Sequence, residues 1–135
     1  MRTPETLKFA VSHEWAAHDD ADIQSDIIVC GISQFAVDQL TDIIVIDLPK
    51  VGTQVTQGKA AGEIESVKAV SDIYSPVTGE IIEVNDKLVS DVSLLSSDPY
   101  GEGWLFRIRP VQANSVESLM SYEEYQAQIA KEKEH

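Results

Sequence analysis

The sequence holds a single cysteine, Cys30, among 135 residues, so an intramolecular disulfide framework is excluded. Three histidines beside that cysteine are too few for a structural zinc site. Positive charge is scarce as well: ten Lys and Arg stand against 23 Asp and Glu, for a formal net charge of −13 and a pI near 4.4. A surface of that sign repels phosphate backbones and anionic headgroups, which makes nucleic acid and acidic membranes poor partners and basic protein surfaces better ones. No apolar run approaches the roughly 20 residues of a membrane helix. The N-terminus, Met1-Arg2-Thr3-Pro4-Glu5, lacks the apolar core of a signal peptide. The expected location is the cytoplasm, or an organelle if the chain is the mature form of an organelle protein.

What is present is ordinary globular composition, 43% apolar and 24% charged, in a length that suits one domain with one core. Short β-branched runs recur at Leu7–Ala10, Ile27–Cys30, Ile43–Leu48, Gly62–Ser66, Ala69–Tyr74, Glu80–Val84 and Trp104–Ile108. Pro49, Gly52, Gly58, Pro76, Gly79 and Gly101 punctuate them, the pattern of a mostly antiparallel β fold with tight turns. In the last run Trp104, Phe106 and Ile108 are expected on one face, with Arg107 and Arg109 on the other. Ser33 is placed to cap a short helix carrying Ala36, Val37 and Leu40. Ser121 and Glu124 form a capping box for a C-terminal helix with Tyr122, Tyr125 and Ile129 on one side. Its end, Lys131-Glu132-Lys133-Glu134, reads as solvated and fraying. Asp42–Asp47 and Glu80–Asn85 match in pattern at an offset of 38 residues, each followed by a valine, Val51 and Val89. Two copies point to a pseudo-twofold pair of strand units rather than a solenoid.

Between residues 60 and 86 the acidic residues are Glu63, Glu65, Asp72, Glu80, Glu83 and Asp86, and the only basic one is Lys68. From spacing alone it is an accessible amine in a turn between two strands. Glu63 and Glu65 alternate on one strand face, but no nucleophile, glycine-rich phosphate loop or metal constellation completes an acid–base site. An independent enzyme is therefore disfavoured.

The run Glu65-Ser66-Val67-Lys68-Ala69, followed by Asp72-Ile73-Tyr74-Ser75-Pro76-Val77-Thr78-Gly79, resembles the attachment site of the glycine cleavage system H proteins. Ser12-His13-Glu14-Trp15 resembles their N-terminal signature. Gly31-Ile32-Ser33, Gln39-Leu40 and Asp47-Leu48-Pro49 with Val51-Gly52 resemble their middle, and Asp98-Pro99-Tyr100-Gly101-Glu102-Gly103-Trp104 their C-terminal signature. The resemblance spans residues 7–130. It implies a mainly β barrel-sandwich hybrid of two antiparallel sheets with pseudo-twofold halves, a short internal helix and a C-terminal helix, within one carrier domain over residues 1–135.

The resemblance further implies a non-catalytic carrier. Lipoic acid is joined by an amide to Lys68, with Glu65, Ser66, Val67 and Ala69 as the attachment flanks. The arm carries an aminomethyl group from the P protein (glycine decarboxylase) to the T protein (aminomethyltransferase) and is reoxidised by the L protein (dihydrolipoyl dehydrogenase). A lipoate ligase or lipoyl transferase supplies the group. An H-like protein acting as lipoyl donor in a relay to other complexes is the alternative, with the same acceptor lysine. Biotin carriers usually flank their lysine with methionine, whereas Val67 and Ala69 stand here, which favours lipoyl. Ser12, Glu14 and Asp72 match positions that approach the arm, and a carboxylate there accepts charge-assisted hydrogen bonds from a protonated amine. Phe35 stands where some members have histidine and is expected to pack. His13 is expected to be structural, His18 solvent-facing, Trp104 core, Cys30 a small buried residue, and Gly101 and Gly103 turn glycines.

Overall fold

The computed structural model describes residues 3–18, 27–40, 42–111 and 115–133. Among these residues nine strands form two sheets: β1 (Lys8–Phe9), β2 (Glu14–His18), β3 (Ile28–Ile32), β4 (Ile43–Asp47), β5 (Gln54–Val55), β6 (Ala60–Ser66), β7 (Val70–Tyr74), β8 (Gly79–Val84) and β9 (Phe106–Pro110). The larger sheet has the order β1-β2-β3-β9-β8-β5 and the smaller β4-β6-β7. Every strand pair is antiparallel. Among the described residues the sheets do not close into one barrel, and the architecture is the expected barrel-sandwich hybrid. Helix α1 (Gln34–Leu40) follows β3, α2 (Lys87–Ser90) and α3 (Ser93–Ser97) follow β8, and α4 (Tyr122–Lys133) ends the described chain.

The core follows from strand periodicity. Ile28, Cys30 and Ile32 of β3 face the smaller sheet, where Ile46, Ile64 and Ile73 meet Ile81, Phe106 and Ile108. Val29, one residue out of phase, points to the opposite face and joins Phe9, Trp15, Tyr125 and Ile129. Both faces of β3 are thus covered, which is why all five of its residues are buried and why its sequence reads as a continuous apolar run. Helix α4 covers the second face: Tyr125 stacks on Phe9 with ring centroids 4.4 Å apart. The capping box forms as expected, with Glu124 N–H donating to Ser121 Oγ at 3.2 Å and Ser121 N–H to Glu124 Oε1 at 2.9 Å. Burial pushes the Cys30 thiol well above its ordinary pKa, so it is an inert packing residue.

Several expectations are corrected. Trp104 precedes β9 and packs, half-buried, against the Phe9 cluster, with the Arg107 guanidinium 4.0 Å over its ring; it does not share the face of Phe106 and Ile108. Gly101 and Gly103 lie in a turn, as expected, but not through a left-handed backbone, which among the glycines belongs to Gly52 (φ 95°) and Gly58 (φ 81°). They are needed because a side chain would collide: a Cβ on Gly103 would lie 2.7 Å from the Asp98 carbonyl, and one on Gly101 would meet the Asp98 carboxylate. The repeat copies become β4 and β8, one in each sheet, each pairing with a later strand, β6 and β9. Beyond them the copies diverge, Val51 into a turn and Val89 into α2.

Candidate functional site

Strands β6 and β7 form a hairpin in the register Glu65↔Val70, and Lys68 is exposed at its tip. Ser66 N–H donates to the Ala69 carbonyl at 2.8 Å. The Ser66 hydroxyl closes the turn a second time, donating to that carbonyl and accepting the Ala69 N–H, both at 3.2 Å. Val67 N–H donates to the carbonyl of Asp42 at 3.2 Å, a residue in the left-handed region at φ 42°. The tip is therefore fastened across itself and to the chain entering β4. The flanks Glu65, Val67 and Ala69 are exposed and Ser66 is buried. Ser66→Ala should cost about 1 kcal/mol by removing this closure, read as a lower midpoint in urea unfolding together with faster amide exchange at Ala69.

A cleft of about 560 Å³ lies between this hairpin and the β2–α1 region, lined among others by Ser12, Glu14, Phe35, Ser71 and Asp72. The structure thus brings Ser12 and Glu14 together in the cleft wall, while Asp72, which pairs with Glu63, stands at the rim. Glu14 is 3% exposed. Its carboxylate accepts from the Ser12 hydroxyl and, through Oε2, from Tyr74 N–H at 3.1 Å. β7 is an edge strand, so that N–H needs a partner outside its own sheet, and Glu14 links the two sheets by providing one. Burial pushes the Glu14 carboxyl up from 4.5 to about 7, against the hydrogen bonds from Ser12 and Tyr74, which lower it. Asp72 is exposed at the rim and Ser12 half-buried.

The signatures scattered along the sequence converge behind this cleft. Trp15 Nε1–H donates to the Pro99 carbonyl at 3.1 Å, and the indole lies so close over Gly31 that a Cβ there would sit 2.5 Å from the ring. Ser33 N–H donates to the His13 carbonyl at 2.9 Å, and Gln34 N–H to the Tyr100 hydroxyl at 3.0 Å. The Tyr125 hydroxyl bridges Ser33 Oγ at 2.5 Å and His13 Nδ1 at 2.7 Å. His13 adopts φ 83° and is structural, as expected, while His18 is exposed at the end of β2. Phe35 lies 5.1 Å from the His13 ring and gives the cleft an aromatic wall.

Two site features were missed in the sequence. Glu132, expected in a fraying tail, is held in α4 with Oε1 3.3 Å from His13 Nε2, at the cleft; Glu134 lies outside the described residues. The anionic surround of Lys68 is also narrower than the sequence suggested. Glu83 and Glu80 lie on β8 in the other sheet, facing Arg107 at 3.1 Å and Arg109 at 4.0 Å, and Asp86 precedes α2. Only Glu63, Glu65 and Asp72 of the six share the hairpin with the lysine.

A two-sheet scaffold that presents an exposed lysine at the tip of a fastened hairpin, beside a cleft with polar groups in its wall, is the arrangement of a carrier protein. Among the described residues there is no cluster able to hold a metal ion, and no helix is long and apolar enough to cross a membrane. Residues 7–132 match the family model of the glycine cleavage H-protein. The chain is 42% identical over 127 residues to the glycine cleavage system H protein of Acinetobacter baumannii strain ATCC 17978, covering 94% of this chain and 98% of the relative. It is 46% identical to that of Prochlorococcus marinus strain NATL1A, covering 94% and 95%. The crystal structure of a glycine cleavage system H protein from Mycobacterium marinum superposes with a TM-score of 0.84 at 36% identity, over 95% of this chain and 99% of that one. The chain belongs to the glycine cleavage H-protein family.

Proposed function

We propose that this protein, as one carrier domain without catalytic activity of its own, is the lipoyl carrier of the glycine cleavage system, with lipoate in amide linkage to Lys68 Nζ. The observation that carries this reading is the exposed lysine at a hairpin tip closed by Ser66. A rigid base with a flexible side chain keeps the group at high local concentration while letting it reach several active sites. The residues present fit such a group: the lysine is exposed, its neighbours Val67 and Ala69 leave the amine approachable, and the cleft beside it combines an apolar wall with Glu14 and Ser12. When bound, the group supplies a dithiolane that carries an aminomethyl unit from the P protein to the T protein and is reoxidised by the L protein.

The chain's own residues then have distinct tasks. Lys68 Nζ, once its ammonium has lost a proton, would attack the acyl carbon of lipoate activated by a ligase or transferase; the amide bond forms as the bond from that carbon to the activating group breaks, and the activating group leaves as Nζ gives up a second proton. Glu14 and Asp72 accept hydrogen bonds from a protonated amine brought into the cleft. Ser12 orients the Glu14 carboxylate, and Phe35 with Ile64 and Ile73 excludes water from one side. The relatives named above are bacterial, which favours the cytoplasm over the mitochondrial matrix. Expression in a lipoylation-competent host should give one lipoyl adduct, found by intact mass and located to Lys68 by peptide mapping, and the loaded protein should support glycine decarboxylation by the P protein. An unmodified Lys68 in a host that loads a known acceptor would overturn the reading. A loaded protein that supports no decarboxylation would point to the relay instead.

A further inference from the structure

Eight large apolar residues are exposed among the described ones, and half of them, Ile44, Val45, Val67 and Val70, gather at the Lys68 end of the smaller sheet. A bulge in β4 helps to put them there: the register slips between Ile43 and Val45, so Ile44 is unpaired and two consecutive apolar side chains are left exposed. Val45 and Val70 both pair with Glu65, from opposite sides, and so line one face. Asp47 pairs with Glu63 on the same face, and these residues border a shallow depression of about 350 Å³. Neither Asp47, Glu63 nor Glu65 has an ion-pair partner among the described residues, unlike Glu83 on β8. The buried residues of the sheet, Ile46, Ile64 and Ile73, point the other way into the core, so this is the outer face, distinct from the cleft that holds Glu14.

An enzyme that acts on a loaded arm can recognise the arm. The enzyme that loads it meets only an unmodified lysine and must select it from the other lysines exposed among the described residues, Lys8, Lys50, Lys59, Lys87 and Lys131. That selection has to be made on the polypeptide beside Lys68. We propose that the outer face of the β4-β6-β7 sheet is the docking surface for the lipoate-attaching enzyme, and that this enzyme meets it with an apolar patch rimmed by lysine or arginine. The inference rests on the carrier reading. The valines supply the desolvated centre of the contact and the uncompensated carboxylates its polarity and salt dependence. Because the face lies outside the cleft, docking here leaves the cleft unobstructed.

The test is the rate of lipoate transfer by a purified lipoate ligase, with ATP and lipoate, to unmodified protein at increasing concentration and at two ionic strengths, followed by intact mass. Val45→Thr with Val70→Thr keeps two β-branched residues on exposed strands and should lower kcat/KM about tenfold, through KM. Asp47→Asn with Glu63→Gln should weaken the fall in rate that added salt causes in the wild type. Val51→Thr with Val89→Thr, equally exposed elsewhere at 62%, should leave the rate unchanged. Thermal unfolding of each variant reports that the fold is kept. A Val45→Thr/Val70→Thr protein within about twofold of wild type, or a salt response untouched by Asp47→Asn/Glu63→Gln, would overturn the inference while wild-type acylation left the carrier reading intact. A wild type that accepts no lipoate would overturn both.

Discussion

Lys68→Arg is expected to abolish loading while leaving the fold intact. Arginine keeps the positive charge and much of the length, but its guanidinium offers no amine to form a stable amide. The substituted position is exposed at the hairpin tip, and the bonds that hold the tip involve the Ser66 hydroxyl and the backbone of Ala69, Val67 and Asp42, none of which the substitution alters. Stability should therefore stay within about 0.5 kcal/mol of wild type, as for other exposed positions. Intact mass should show the unmodified chain only, and glycine decarboxylation supplemented with the variant should fall to the level seen without carrier. The variant also tests site selection. Lys59 and Lys87 remain exposed, and acylation appearing on either would show that the hairpin does not direct the reaction. Wild-type loading removes one positive charge from a protein already at −13, so a native gel separates loaded from unloaded wild type and should show a single band for Lys68→Arg.

The parts of this molecule that were legible in sequence are those that local chemistry specifies. The Lys68 hairpin is a run between two β-branched strands, the α4 start is a capping box, and β9 alternates Phe106 and Ile108 with Arg107 and Arg109. β2 was not legible: Glu14-Trp15-Ala16-Ala17-His18 does not alternate, since its first three residues are all buried. Helices α2 and α3, of four and five residues, are too short for a 3.6-residue period to declare itself. The least legible feature was the wall behind the cleft. The Tyr125 hydroxyl meets Ser33 across 92 positions and His13 across 112, and no pattern within a strand or helix encodes such contacts. The same holds for charge. Six carboxylates near Lys68 in sequence became three on its hairpin because β8 carries Glu80 and Glu83 into another sheet, where β9 supplies arginines.

Glu14→Gln is expected to stabilise the unloaded protein at high pH while impairing the carrier. In the unfolded chain this carboxyl ionises near 4.5, and in the fold near about 7 because burial disfavours its charge. Between those values the folded state holds a proton that the unfolded state has lost, so stability falls as pH rises through the interval. For this one group the fall amounts to about 2 kcal/mol between pH 5.5 and pH 8, and the total above pH 7 to on the order of 3 kcal/mol. Glutamine has no such dependence, and its side-chain oxygen still accepts the Tyr74 N–H that Glu14 satisfies. Urea unfolding at pH 5.5, 6.5 and 8, above the pI near 4.4, should show the variant gaining on wild type as pH rises; the difference between the curves isolates Glu14 from other titrating groups. Parallel curves would mean that the carboxyl titrates as it does in the unfolded chain. The linkage to the amide of Tyr74 can be made without a charge, so a buried acid here is a net cost to the empty protein. Under the carrier function proposed above it gains a use: a protonated amine brought beside Glu14 would favour the carboxylate and draw its pKa back down, which would couple binding of the amine to release of a proton. Glycine decarboxylation supported by Glu14→Gln should therefore be weaker than wild type even though its fold is the more stable of the two above pH 7.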